Sequence, residues 1–186
     1  MKEIIWKVYA GRAVALRYCK RCGVKTPFAS SRLFRVNAQQ KSLDVWLVYR
    51  CSVCDATWNL TILSRAAPHT IPPKLLHGFH TNDPELALRY ALDASLVKRN
   101  GAEPQPPEFQ ICGEDAGQTR PLRIHLRTAL PLDIRAEAVL RKGLGLSRKG
   151  FDGMLSSGAL VCVSGQALKK CKLSGEIIVD VLRNLE

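Results

Sequence analysis

Four cysteines in two matched pairs constrain this chain more than any other feature. Cys19 and Cys22 stand in YCKRC, residues 18–22, and Cys51 and Cys54 in YRCSVCDATW, residues 49–58, with 28 residues between the pairs. A C-x2-C turn folds back so that both sulfurs can reach one ion, and two such knuckles supply the four tetrahedral ligands that zinc prefers. With Cys19, Cys22, Cys51 and Cys54 all bound, no coordination position remains for water. The expected metal is therefore a structural zinc ion and not a catalytic one. Such an ion contributes on the order of 10 kcal/mol to a small domain, so the ribbon should depend on it. The alternatives are buried free thiols or a single redox-active pair. The redox reading wants one C-x2-C beside a βαβ pattern, and here two pairs sit in a strand-rich context.

The chain has seven cysteines, and an odd count argues against a disulfide framework. Cys162 and Cys171 are expected to be small core residues, and Cys112 is assigned no role. His77 and His80 in LLHGFH could hold a metal, but the cysteines already fill a tetrahedron. His69 and His125 are isolated.

Hydrophobic residues make up 46% of the 186 residues, enough for a real core. No apolar run approaches the ~20 residues of a membrane helix. The N-terminal MKEIIWKVYAGRAVALR is interrupted by charge and lacks the apolar segment of a secretory signal. A cytoplasmic location is expected, with no membrane partner. The formal net charge is +12 and unevenly placed. Residues 1–65 carry 12 Lys/Arg against 3 Asp/Glu, residues 66–119 carry 4 against 7, and residues 120–186 carry 12 against 6. Two basic ends around an acidic middle is the asymmetry of a nucleic-acid binder.

Three blocks follow from pattern. In residues 1–65, LDVWLVYRC (43–51) and TWNLTIL (57–63) read as strands on either side of a cysteine knuckle. Trp58, Leu60 and Ile62 share one face, and the polar run after Asn37 suggests a hairpin turn. Residues 66–101 hold one helix, from Asp83 to Arg99, capped by Asp83, opened by Pro84 and closed by Asn100-Gly101. This segment is expected to pack on the ribbon. Residues 102–121, rich in Pro, Gly and acid, read as a linker. Residues 122–186 read as two helices, DIRAEAVLRKGLG and SRKGFDGMLSSG, followed by short strands in ALVCVSG and GEIIVDVL. Gly143 and Gly145 are expected to stop the first helix. Ser147 caps the second.

The last block resembles the S-four-like RNA-binding domain, named after small-subunit ribosomal protein four. Leu132-Asp133 would open its first helix, Leu146-Ser147-Arg148 its second, and LVCVSGQAL and LSGEIIVDV would form its hairpin. The resemblance implies RNA contact through Arg148 and Lys149 at the second helix, Lys169, Lys170 and Lys172 in the hairpin, and Arg141 and Lys142 nearby. Helix amides and clustered cations both favour phosphate. The first block resembles a bacterial family catalogued as domain of unknown function 1062. Phe-Arg-Val-Asn, Leu-Asp-Val-Trp-Leu and Cys-x2-Cys-x3-Trp-Asn-Leu-Thr-Ile carry the likeness over most of residues 1–100. It implies a bacterial cytoplasmic protein and brings no activity.

No nucleophile elbow, phosphate loop, zinc-protease helix or deaminase pattern occurs. Asp44 and Asp55 lie near the ribbon without defining a mechanism. Asp44 is expected to be a turn or strand-edge residue pairing with a nearby Arg. The expected fold class is α+β: an N-terminal zinc ribbon with antiparallel strands, a central helix, and a C-terminal helix-helix-hairpin module. The expected function is non-enzymatic binding of structured RNA, such as ribosomal or transfer RNA, with no small-molecule substrate. In the ribbon, Arg32, Arg35, Lys41 and Arg50 are candidates for phosphate contact, and Trp46 and Trp58 belong to the core. The alternative is a zinc-stapled protein–protein adaptor. The sequence leaves the oligomeric state open.

Overall fold

Alternation of apolar and polar residues recurs along this chain, and accordingly strand outweighs helix in it. The computed structural model describes residues 1–39 and 41–183. The strands are β1 (Lys2–Ala10), β2 (Val14–Cys19), β3 (Val24–Gln39), β4 (Ser42–Cys51) and β5 (Thr57–Ala66). Helices α1 (Pro73–Thr81), α2 (Pro84–Ala91) and α3 (Ala94–Arg99) follow, then β6 (Glu103–Pro104), β7 (Phe109–Gly113), β8 (Leu122–Arg127) and β9 (Leu132–Arg135). Helices α4 (Ala136–Leu144) and α5 (Arg148–Ser156) precede β10 (Leu160–Cys162), β11 (Lys172–Leu173) and β12 (Glu176–Val181).

The chain divides into two units. One is Arg12–Pro107; the other joins Met1–Gly11 to Glu108–Glu186. The division thus falls at 11/12 and 107/108, and residues 102–121 contribute β6 to one unit and β7 to the other.

In the 12–107 unit an antiparallel sheet runs in the order β5-β4-β3-β2-β6. Strand β4 alternates strictly, burying Leu43, Val45, Leu47, Tyr49 and Cys51. These meet Trp58 and Leu60 of β5 and, from the helices, Phe79, Ala87, Leu96 and Val97 in one core. The Tyr49 hydroxyl donates to the Ala91 carbonyl at 3.3 Å. A hairpin turn is expected after Asn37, and Gln40, between β3 and β4, lies outside the described residues. The single helix expected over 83–99 is two. Asp83 caps α2 through the amides of Glu85 and Leu86, both at 2.9 Å. Asp93 then caps α3 through the Leu96 amide at 2.9 Å, so the side chain that would have been mid-helix starts a new one. Asn100 docks α3 on β5: its side chain accepts from the Thr61 amide at 2.8 Å and donates to the Thr61 carbonyl at 3.1 Å.

In the other unit the sheet order is β10-β12-β8-β1-β7. Strand β1 is parallel to β8, with Lys2 opposite Leu122 and Lys7 opposite Arg127, and antiparallel to β7. Its Ile4, Trp6 and Val8 alternate inward and join Leu122, Ile124, Leu126, Leu140, Phe151 and Val179 in the core.

This arrangement overturns the expected α+β class and its C-terminal helix-helix-hairpin module. The chain is mostly β, and the C-terminal strands do not close on themselves. Strand β12 pairs with both β10 and β8, and β8 pairs with β1 from the opposite end of the chain. Leu132 and Asp133, expected to open a helix, lie in β9, which pairs with β11. The period there is two: Leu132 and Ile134 are buried, Asp133 and Arg135 exposed. Helix α4 starts at Ala136 and passes through Gly143 to a left-handed Gly145 with φ of 64°. Gly143 does not stop it. A Cβ at that position would lie 2.3 Å from the Trp6 ring, so glycine lets α4 lie on β1.

Candidate metal centre

The two cysteine knuckles are built alike. Cys19 ends β2, and the amide of Gly23 donates to its carbonyl at 2.9 Å. Cys51 ends β4, and the amide of Asp55 donates to its carbonyl at 3.0 Å. Each turn then needs a left-handed residue one place after its second cysteine. Gly23 supplies it with φ of 72° and Asp55 with φ of 60°. Both types tolerate that conformation, glycine for want of a Cβ and aspartate with local polar support. An ion pair from Arg50 to Asp55, at 2.7 Å, braces the second turn. The Ser52 amide ties it to β3 through the Pro27 carbonyl at 2.9 Å.

These turns bring the four sulfurs together. Cys19 Sγ lies 3.5 Å from Cys54 Sγ, and Cys22 Sγ 3.9 Å from Cys51 Sγ. All four lie within 4.8 Å of one another. A tetrahedral ion with metal–sulfur bonds of ~2.3 Å has sulfur–sulfur edges of ~3.8 Å. The donor set therefore fits a thiophilic ion of that size. Cys19 and Cys51 are buried, Cys22 and Cys54 half-buried, and Phe28, Tyr49 and Trp58 form an aromatic layer in the same core.

The thiols are not equivalent. The Thr26 hydroxyl sits 3.2 Å from Cys51 Sγ and, with nearby backbone amides, holds that thiol down to about 6. Cys19 is also lowered, mainly by the Cys22 amide. Cys22 is pushed up to about 12 by its hydrogen bond with Cys54 and by desolvation. The lowered Cys51 and Cys19 thiols favour the thiolate form in which cysteine binds a metal. A metal would displace the remaining protons. Thr26 escapes a search for metal ligands. Its signal is a polar residue two positions before Phe28, on the same inward face of β3.

The remaining candidates fall elsewhere. His77 and His80 lie on α1 and are not in the sulfur cluster. Trp58 is buried, with the Arg17 guanidinium 4.8 Å above its ring. Arg35 lies 5.9 Å above Trp46. Asp44 pairs with the backbone amide of Arg65 at 2.8 Å, not with its guanidinium.

The C-terminal cations are spread over α4, α5, the segment leading into β11 and β11 itself, and most are engaged. Arg141 faces Glu137 at 3.6 Å, Lys169 faces Asp152 at 2.8 Å and Lys172 faces Asp133 at 2.7 Å. Lys142 donates to the Phe109 carbonyl at 2.9 Å. Among the described residues, only Arg148, Lys149 and Lys170 of that set make no such contact, though Arg148 contributes to the field that lowers Asp152.

The sequence profile of a family described as a protein of unknown function, DUF1062, matches residues 36–166, more than half of the chain. The chain belongs to the DUF1062 family. Comparison with curated proteins and with solved structures returned no match. The DUF1062 match starts in β3 and takes in the Cys51–Cys54 knuckle, while the Cys19–Cys22 knuckle precedes it. It also runs past residue 100, further along the chain than the sequence motifs had suggested. No helix among the described residues is long and apolar enough to cross a membrane.

Proposed function

We propose that this DUF1062 protein is a non-enzymatic RNA-binding protein whose 12–107 unit is held by a structural zinc ion on Cys19, Cys22, Cys51 and Cys54. Four thiolate donors suit zinc and leave no open position for a reacting water. The observation that carries the RNA reading is the imbalance of charge around that centre. Residues 12–107 hold fourteen Lys/Arg against six Asp/Glu. Three of those acids have structural duties: Asp83 and Asp93 cap helices, and Asp44 accepts from a backbone amide. Among the described residues, only Lys25 and Arg50 of the fourteen cations pair with a carboxylate, through Glu103 and Asp55. In the other unit six cations do so. A surface left so unneutralised favours a polyanion, because its cations release condensed counterions on binding.

The test is a salt series with a structured RNA such as transfer RNA. The expected result is saturable binding that weakens at least tenfold between 50 and 200 mM salt, on the order predicted for a few phosphate contacts. Binding that ignores salt, or no binding, overturns the reading. Salt-insensitive association with a protein would favour an adaptor. Elemental analysis should find one zinc per chain, with four thiols protected until a chelator is added. Reversible dithiol–disulfide cycling of one pair would overturn the structural role.

A further inference from the structure

A groove opens beside the sulfur cluster, wholly within the 12–107 unit. Its volume is about 850 Å³, and its walls include Arg17, Tyr18, Lys20, Arg21, Trp58 and Arg99. Four of these six are cations, and no carboxylate lines the groove. The nearest acids in sequence, Asp55 and Glu103, are already paired with Arg50 and Lys25. Arg17 is fixed in place: it donates to the Asn100 carbonyl at 2.6 Å and covers the Trp58 ring. Arg21 donates to the Cys54 carbonyl at 3.3 Å, not to a sulfur. Lys20 and Arg99 are exposed and pair with no carboxylate among the described residues. Tyr18, next to Cys19 on β2, presents its ring to solvent with 60% of its surface exposed.

An exposed tyrosine held by a metal-braced strand, beside cations fixed by backbone carbonyls, matches the two halves of a nucleotide. The ring offers a face for a base, and the cations offer charge to the phosphates. A paired base is already stacked and cannot lie on Tyr18. We infer that this groove takes an unpaired segment of RNA, with one base stacked on Tyr18 and the adjoining phosphates held by Lys20, Arg21 and Arg99. The inference rests on the RNA-binding reading above and assigns it a place.

The experiment measures fluorescence anisotropy of a labelled ten-nucleotide single-stranded RNA and of its duplex, with the full chain loaded with zinc. The single strand is expected to bind at least tenfold more tightly than the duplex. Lys20→Glu with Arg99→Glu should weaken single-strand binding by about tenfold or more. Lys7→Glu with Lys74→Glu makes the same change in net charge outside the groove and should weaken it by less than threefold. Tyr18→Ala should cost about fivefold or more, the lower end of what base stacking on an aromatic ring provides, and Tyr18→Phe should restore it. Zinc content is measured on every variant, and Tyr18→Phe serves as the comparison that leaves the fold intact. Equal losses from the groove and control pairs, no loss from Tyr18→Ala, or a preference for duplex overturns the groove while leaving RNA binding in place. Absence of binding to any RNA by the unmodified protein overturns both.

Discussion

At the scale of single residues, a side chain outside the four cysteines bears on the candidate metal centre. Thr26 reaches Cys51 Sγ at 3.2 Å and favours its thiolate. Thr26→Val keeps the shape and removes the hydroxyl. Metal affinity, measured by competition with a chromophoric chelator, should fall ~10–100-fold, the range for groups that orient a ligand, while the fold persists in excess zinc. Gly143 is the second position where one atom decides. Gly143→Ala would place a methyl 2.3 Å from the Trp6 ring. Both the ring and the helix backbone are packed, so the overpacking should destabilise by ~1–3 kcal/mol, read as a lower midpoint in urea. The Cys19–Cys22 and Cys51–Cys54 spacing was legible from the chain alone, because a knuckle is a local turn. Thr26 and Gly143 were not, because each matters through a neighbour distant in sequence.

At the scale of elements, β8 and β12 are joined across their outward face by ion pairs. Arg123 holds Asp180 with two bonds at 2.7 and 2.8 Å, and Arg127 with His125 holds Glu176. The bonds from Arg123 keep the Asp180 carboxyl below its ordinary value, and those from Arg127 and His125 do the same for Glu176. Depressed native values mean that the unfolded chain takes up protons first as the medium becomes acid. The stability from these pairs is therefore complete above the ordinary carboxylate range, about pH 4, and is lost as the pH falls below it. Asp180→Asn should flatten that part of the stability–pH curve in urea titrations between pH 2 and 6, and a curve parallel to the unmodified protein would refute the assignment. The helices show what local pattern can and cannot say. Asp83 as a cap was readable. The break at Asp93 was less so, since the same residue suits a helix surface or a helix start, and the Asn100–Thr61 bonds that anchor α3 come from β5.

At the scale of the whole molecule, the two units should fail separately. Chelating the metal should unfold the 12–107 unit, losing the near-ultraviolet signal of Trp46 and Trp58, while amides of β8 and β12 keep their protection from hydrogen exchange. Deleting residues 1–11 removes β1, an inner strand of the other sheet, with its buried Ile4, Trp6 and Val8. That variant should lose protection in β8 and β12 yet still bind one metal per chain. Simultaneous loss of both units in either experiment would contradict the division of the chain.

The chain alone determined what is short-ranged: two sulfur turns with two-residue spacing, the alternation that makes β4 and β5, and the caps of its helices. These rest on a handful of consecutive residues whose geometry is local. Only the tertiary structure decided where the segments pair. The first eleven residues read as a charge-broken stretch, and their inward Ile4, Trp6 and Val8 acquire meaning from β8 more than a hundred residues later. The same partner turns the C-terminal strands into part of a larger sheet and excludes the helix-helix-hairpin module. Strand pairing is a contact between distant stretches of chain, and periodicity records that a face will be buried without recording against what.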